Sequence, residues 1–355
     1  MASRLLSTIP ALKRFSSTSA QALHVPIPAE SFPSGYLLTG VHSGIKKAKP
    51  GAAPNDLAVI VSTSSRPTSA AACFTNNVFK AAPVVVSEEV LVKNGGRARA
   101  IVVNSGCANA VTGAKGLENA WKMAKATDAL LAPPSSQSSE TLVMSTGVIG
   151  QHLPIDSILA AISSLNPVSS SLSAAFSAWE RAAEAFMTTD TFPKLRARSF
   201  TIAGKTFKLA GMDKGAGMIH PSMRPAKTEF GGLHATLLGC VLTDAPVSPR
   251  SLQSALTFAV DRSFNSISVD GDMSTNDTII ALANGAAALE ADEIDEETNR
   301  AAYLVFRDEL TAFTQELAQL VVRDGEGATK FVAVTVKVRP CRIQSSNLLS
   351  MTTST

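Results

Sequence analysis

The sequence predicts a layered fold of mixed helices and strands, α/β in content and α+β in arrangement, and not a Rossmann sheet. Three observations carry this expectation. Short continuous apolar runs such as Ile101-Val102-Val103 read as buried strands. Longer stretches repeat apolar residues at helical spacing, as Leu310, Phe313, Leu317 and Leu320 do. The two kinds of element mix without a regular strand–helix–strand unit, and no internal repeat is present. At 355 residues the chain can bury a large core, and length alone suggests two domains.

In chain order, residues 30–55 are punctuated by Pro and Gly and read as a leading loop. Asp56–Ser64 and Ala71–Thr75 read as paired strands around a turn at Arg66-Pro67, and Arg99–Ser105 as a buried strand. A helix is expected over Ala114–Leu131, stopped by Pro133-Pro134, and then a strand over Glu140–Ser145. That strand ends in a turn at Ser145-Thr146-Gly147-Val148-Ile149-Gly150. A second helix near Ser171–Met187 places Phe176, Trp179, Ala183 and Phe186 on one face. Residues 199–211 form a hairpin through Ala203-Gly204-Lys205 and lead to Lys214. An apolar strand follows Thr236. Ser248 before Pro249 signals an N-cap, opening a helix to about Arg262. A polar loop over Ser268–Asp277, a strand over Thr278–Ala283, a long helix near Arg300–Val322 and an alternating strand over Phe331–Val338 complete the order.

Composition narrows the function. The chain is 45% hydrophobic and 17% charged, as expected of a soluble globular protein. Its net charge is +3, from 32 basic and 29 acidic side chains. Residues 1–29 hold Arg4, Lys13 and Arg14 and no carboxylate, so the remainder sums to zero. Nothing here points to nucleic acid as a partner, and no apolar run reaches the ~20 residues of a membrane span. The acid-free, Ser- and Ala-rich first 29 residues fit a mitochondrial transit peptide, with Arg14-Phe15-Ser16-Ser17 as a place to cut. An unstructured N-terminal tail is the plainer alternative. Cys73, Cys107, Cys240 and Cys341 lie far apart without a C-x-x-C spacing, which suits reduced core thiols. His24, His42, His152, His220 and His234 show no metal-ligand spacing, so no metal is expected.

Four places carry chemistry. Thr236 follows the small residue Ala235 and opens the apolar run to Thr243-Asp244, the form of an internally processed N-terminal nucleophile. A threonine hydroxyl needs an adjacent base, and cutting Ala235–Thr236 would free an α-amino group of pKa near ~8 on the same residue. By itself, a Thr opening a buried strand is more often only a β-branched strand residue. Thr146-Gly147 ends a strand with small residues whose backbone N–H groups would hold an oxyanion, although Thr-Gly is also a common turn. Thr188, Thr189 and Lys214 stand at element ends, either to hold an amino acid by hydroxyls and ammonium or as ordinary surface groups. Glu326, between Gly325 and Gly327, offers a carboxylate to a cation or is a solvated turn charge. Two motifs fail. Asp270–Asp277 departs from an EF-hand loop at Thr275, where Gly is required, and Gly204-Lys205-Thr206 lacks the first Gly of a Walker A loop, with Ser199 in its place.

Lys214-Gly215-Ala216-Gly217-Met218-Ile219, Ala235-Thr236-Leu237-Leu238 and Leu242-Thr243-Asp244-Ala245 together resemble the core signature of the ornithine acetyltransferase family of arginine biosynthesis, the bifunctional glutamate N-acetyltransferases. The likeness runs from about Gly40 to Val336, in the family's order, and its wording is similar to the fungal mitochondrial branch. The resemblance implies the two-domain layered fold shared with self-processing aminopeptidases. It implies self-cleavage at Ala235–Thr236 and Thr236 as nucleophile, with Thr146 and Gly147 as the oxyanion pair. Thr188 (favoured over Thr189), Lys214, Thr236 and Glu326 would contact substrate, Glu326 through a δ-amino group. N-acetylornithine would be the acetyl donor and glutamate the acceptor, with acetyl-CoA open as a further donor and no cofactor. It further implies an α2β2 heterotetramer in the mitochondrial matrix. In the family Asp270–Asp277 also recurs, which suggests bracing near the site.

These implications divide the chain into a transit peptide, 1–29; an α chain, 30–235; an incomplete β chain, 236–338; and an aberrant tail, 339–355. Two departures accompany the resemblance. Arg224–His234 forms an extra loop before Ala235, and after Val336 the family's further segment, with its substrate-contacting Asn and terminal hydroxyl, is replaced by Arg339-Pro340-Cys341 and a Ser/Thr-rich end, as in a changed reading frame or a retained intron. An amidase or aminopeptidase using the same threonine and an inactive truncated member are the competing expectations. In the latter the apolar edge of Phe331–Val338 would lie open to aggregation.

Overall fold

The computed structural model describes residues 20–48, 50–133, 138–165, 171–225, 237–335 and 350–353. Two sheets dominate. The smaller has the order β1-β2-β4-β5, from Tyr36–Val41, Leu57–Ser62, Ala100–Cys107 and Thr141–Val148. Its first three strands pair antiparallel and β5 runs parallel to β4. The larger has the order β6-β7-β9-β11-β3-β8, from Lys194–Ile202, Lys205–Lys214, Leu238–Thr243, Thr278–Ala283, Ser69–Thr75 and Met223–Pro225. Only β9 and β11 are parallel within it. A third, minor sheet joins β10 (Ile267–Ser268), β13 (Ser350–Thr353) and β12 (Val332–Thr335).

The larger sheet is buried on both faces, which explains its continuous apolar strands. Its side chains alternate between two cores. Ala70, Ala72, Phe74, Met212, Leu238, Cys240, Leu242, Ile280 and Leu282 join the core shared with the smaller sheet. Ala71, Cys73, Leu209, Val241, Ile279 and Ala281 face a second core, with α5 (Pro249–Asp261) and α6 (Arg300–Arg323). Among the remaining helices, α1 (Ala82–Lys93), α2 (Gly113–Asp128) and α3 (Ile155–Ser163) gather at the smaller sheet's side, while α4 (Phe176–Phe186) touches β1 and β2 of one sheet and β6 and β7 of the other. Trp179 of α4 stacks on Phe32 with centroids 4.5 Å apart. Tyr36 adds a polar tie between the sheets, its hydroxyl donating to the carbonyls of Thr243 and Leu282 at 3.0 Å each.

Most expected elements are present: β4, α2, α4, the β6–β7 hairpin, β9, β11, α5, α6 and β12. The N-cap of α5 forms as read, the Ser248 hydroxyl accepting from the Ser251 amide. Four expectations need correction. The leading loop contains β1, because Tyr36 and Leu38 alternate into the core against β2. The strands on either side of Arg66-Pro67 do not pair; β2 and β3 lie in different sheets. Arg66 instead ties the crossing to the body by donating to the carbonyls of Ala288, Leu289 and Ala291. The strand expected to stop at Ser145 continues to Val148. Helices α1 and α3 were not foretold, α1 because Val84-Val85-Val86 has strand-like character. Its place explains it: the Ser87 hydroxyl donates to the Val143 carbonyl and accepts from the Val143 amide, sealing the open edge of β5. Cys73, Cys107 and Cys240 are free and buried as expected, and Cys341 lies outside the described residues. No described helix is long and apolar enough to cross a membrane.

Candidate functional site

One wall of the candidate site comes from the ends of β4 and β5. Gly106 and Gly147 stand opposite each other beside a register shift at Cys107. Both have positive φ, 109° and 126°, and a Cβ on Gly147 would lie 2.3 Å from the Gly106 carbonyl carbon and 2.6 Å from the Cys107 nitrogen. No side chain fits there, so only glycine lets the tips of β4 and β5 come this close. Buried polar groups fix this end: the Ser145 hydroxyl donates to Asn104 at 2.6 Å, and the Asn104 side-chain amide donates to the Cys107 carbonyl at 2.8 Å.

The facing wall comes from the end of β7. Lys214, only 2% exposed, donates to the Thr146 hydroxyl at 3.4 Å across the space between the sheets. Burial pushes its ammonium below the ordinary lysine value, against the attraction of Asp190; Lys194 adds to the fall, while Asp277 and Glu326 oppose it. The turn after Lys214 meets the turn after α6: the Glu326 amide donates to the Ala216 carbonyl at 2.7 Å, and the Glu326 carboxylate lies directly against Gly217. Thr188 follows α4 and is half-buried, whereas Thr189 is exposed. Thr146, Lys214, Glu326 and the Thr188 turn are thus neighbours although 180 residues separate the first from the last of them in sequence (326 − 146).

A buried ion cluster underlies this wall. Lys194, fully buried at the start of β6, donates to Asp190 and to Asp324 at 2.6 Å each. Asp190 also accepts the Thr188 amide at 2.9 Å and the Gly215 amide at 2.8 Å. Asp324, capping α6, accepts the Thr191 amide at 2.9 Å and the Thr191 hydroxyl at 2.5 Å. Burial opposes charge on both partners, yet Lys194 and Lys214 hold the Asp190 carboxyl well below the usual range, and Asp190 and Asp324 hold Lys194 above its own.

The polar loop before β11 closes the arrangement. The Asn276 side-chain amide donates to the carbonyls of Ala108 at 2.7 Å and Ser145 at 2.8 Å, joining the larger sheet to the tips of β4 and β5. Asp270 accepts the amides of Met218 and Ile219 at 2.6 and 2.9 Å. Bracing is therefore what this loop does in the structure, and no group of metal-binding side chains occurs among the described residues. Asp277 accepts the amide of Leu237, and its other oxygen has no partner among the described residues. Burial pushes that carboxyl well above the usual range, with the Leu237 hydrogen bond and Lys214 acting against the rise.

Ala235 and Thr236, the expected junction and nucleophile, lie outside the described residues, as does the extra loop from residue 226 onward. Thr236 is bonded to Leu237, so the point where it joins the described chain is anchored by Asp277. Of the other expected site residues, Thr146, Gly147, Thr188, Lys214 and Glu326 are brought together, and Thr189 points to solvent-exposed ground beside them. Asp190, Lys194, Asn276, Asp277 and Asp324 are functional neighbours that the sequence alone does not single out. The run Thr188-Thr189-Asp190-Thr191-Phe192-Pro193-Lys194 carried the signal, a lysine four residues beyond an aspartate in an apolar setting.

Comparison with known proteins gives a consistent result. The ArgJ family model matches residues 37–346. The protein named arginine biosynthesis bifunctional protein ArgJ, mitochondrial, of Coprinopsis cinerea is 67% identical over 340 residues, covering 95% of this chain and 71% of its own length. Its namesake from Laccaria bicolor is 65% identical over 347 residues, covering 96% and 73%. Among solved structures, ArgJ from Bacillus halodurans is 36% identical, with 54% of this chain and 93% of that one covered at a TM-score of 0.48. The ornithine acetyltransferase of Mycobacterium tuberculosis, solved with ornithine, is 32% identical, with 58% and 97% covered at a TM-score of 0.44.

Proposed function

Because the chain belongs to the ArgJ family, we propose that its Thr236 carries acetyl groups between amino acids at the site where Lys214 meets Thr146. The protein is a mitochondrial, bifunctional acyltransferase of arginine biosynthesis. In this reading the Thr236 hydroxyl first attacks the Ala235 carbonyl, and water releases the resulting ester. The products are an α chain, 30–235, once the transit peptide 1–29 is removed, and a β chain whose new N-terminus is both nucleophile and base.

Acetyl transfer then runs in two halves. The α-amino group of Thr236 takes the hydroxyl proton as the oxygen attacks the acetyl carbonyl of N-acetylornithine. The oxyanion forms against Thr146 and Gly147, where fixed dipoles stabilise it without reorganising. The C–N bond breaks, the departing ornithine nitrogen receives the proton, and acetyl-Thr236 remains. Glutamate's amine attacks this ester, and N-acetylglutamate leaves as the threonine is restored. Lys214 supplies a cation to the substrate carboxylate and Glu326 an anion to the δ-ammonium, with Thr188 rather than the exposed Thr189 beside them. The chemistry calls for no cofactor; acetyl-CoA would enter only as another donor to the same threonine. Assembly as α2β2 and residence in the matrix belong to this proposal.

The observation that carries the reading is the 3.4 Å contact between Lys214 and Thr146, which unites the expected oxyanion and substrate residues from two sheets. Intact-mass spectrometry with Thr236→Ala as control tests it. Two fragments, the second beginning at Thr236, followed by acetyl transfer from N-acetylornithine to glutamate, are expected. An uncut wild-type chain refutes it, and release of free acetate in place of N-acetylglutamate makes the protein an amidase.

A further inference from the structure

The three substrate segments of the proposed site belong to different elements, yet each ends on the same buried ion cluster. The Thr188 turn is held by Asp190 through its amide, and the turn after Lys214 by the same carboxylate through the Gly215 amide. The turn that carries Glu326 begins at Asp324, which also grips Thr191 through amide and hydroxyl. Lys194 stands between the two carboxylates at 2.6 Å from each, with no exposure to solvent. Its ammonium is taken up by these two carboxylates. A fully buried ion triad is a poor source of stability compared with packed apolar groups, but it fixes geometry sharply, because each partner is costly to leave unpaired.

We propose that Lys194, together with Asp190 and Asp324, is a positioning cluster that sets the spacing between Thr188, Lys214 and Glu326 and so determines affinity for the amino-acid substrate. The inference rests on the functional reading above and adds to it. A zwitterionic ligand bridges a cation and an anion held on separate turns, so its affinity depends on their separation, whereas the oxyanion pair stands on the other sheet. Lys194 also acts through charge. The charged groups around Lys214 are Asp190, Asp277 and Glu326, which favour its protonation, and Lys194 and Lys46, which oppose it. Removing Lys194 deletes one repelling cation beside Lys214, so Lys214 keeps its proton to higher pH.

The test is calorimetric titration of the full-length wild type, Lys194→Met and Thr191→Val with ornithine across pH 6–10, with intact mass and thermal melting recorded in parallel. Ornithine's own titration is common to all three proteins. Lys194→Met is expected to weaken ornithine at least tenfold at pH 7 while moving the alkaline loss of binding to higher pH. Thr191→Val, which removes one hydroxyl bond to Asp324, is expected to weaken it about threefold with the alkaline limb unmoved. A folded Lys194→Met protein that binds ornithine as the wild type does overturns the proposal. So does weakened binding with an unmoved alkaline limb, the mark of a merely structural role. Should Lys194→Met fail to melt cooperatively, unchanged binding by Thr191→Val overturns it and threefold weakening supports it. A wild type that binds no ornithine overturns the functional reading itself, a failure visible without any variant.

Discussion

The two walls of the site are made of different material. The wall at β4 and β5 is main chain: two glycines at positive φ, a register shift, and neutral hydrogen bonds through Asn104 and Ser145. The wall at β7 and the end of α6 is charge: Lys214 above, and Asp190, Lys194 and Asp324 beneath it. The first suits the oxyanion, which needs dipoles already aimed and no mobile countercharge. The second suits a zwitterion, which needs separated charges of both signs. On the proposed reading, reaction and recognition fall to different sheets, and mutations in the two walls should fail in different ways.

The largest effect is expected from Gly147→Ala. Its Cβ would fall 2.3 Å from the Gly106 carbonyl carbon, so the tips of β4 and β5 must part. Acetyl transfer should drop by roughly 10²–10³-fold, the scale of losing an oxyanion donor, with ornithine affinity within about threefold of wild type. Equal loss of both quantities would break the division of labour. Lys214→Met should do the reverse, weakening ornithine by roughly 10- to 100-fold, the scale of a charge-assisted hydrogen bond. Turnover at saturation should fall less.

Asn276→Ala probes the tie between the walls. It leaves the buried carbonyls of Ala108 and Ser145 without their donor, and should lower stability by about 2–4 kcal/mol in urea unfolding. Both rate and affinity should suffer, since neither wall then holds its distance. The smallest effect lies far from either wall, at Asp295. The Ser248 hydroxyl and the amides of Glu297 and Thr298 hold its carboxyl down at about 2, from an ordinary 3.8. A carboxyl lowered on folding stabilises fully above its unfolded value and loses that contribution as pH falls through the folded one. Asp295→Asn should therefore melt slightly below wild type at pH 6, with the gap closing between pH 4 and pH 2. A gap that widened toward acid would reverse the assignment.

The two walls also differed in how readable they were. β9, β11, α5 and α6 follow from local pattern: continuous apolar runs, an N-cap Ser before Pro, and apolar residues at 310, 313, 317 and 320. The pattern failed where burial came from an unexpected neighbour. Tyr36 sits among loop-forming residues yet bridges two strands of the other sheet, and the valines of α1 are helical because Ser87 is needed at the edge of β5. The glycine wall could be suspected from Thr146-Gly147 alone, because small residues at a strand end are a local signal. Lys194 and Asp324 are 130 residues apart, and no periodicity records a pairing over that distance. Lys214 and Glu326 drew attention through family resemblance, and their meeting near Ala216 is a property of the fold alone.

The order of the larger sheet has a consequence for the molecule after cleavage. Strands β9 and β11 follow residue 236, yet they lie side by side between β7 and β3, which precede it. A cut at Ala235–Thr236 would leave the two polypeptides joined by two complete strand ladders and by the cores on both faces. Separating them is then the same event as unfolding. Before the cut, melting is a unimolecular transition; after it, refolding requires two molecules to meet, and the midpoint should rise with protein concentration. The uncut chain would thus have a way back from denaturation that a cut one would lack.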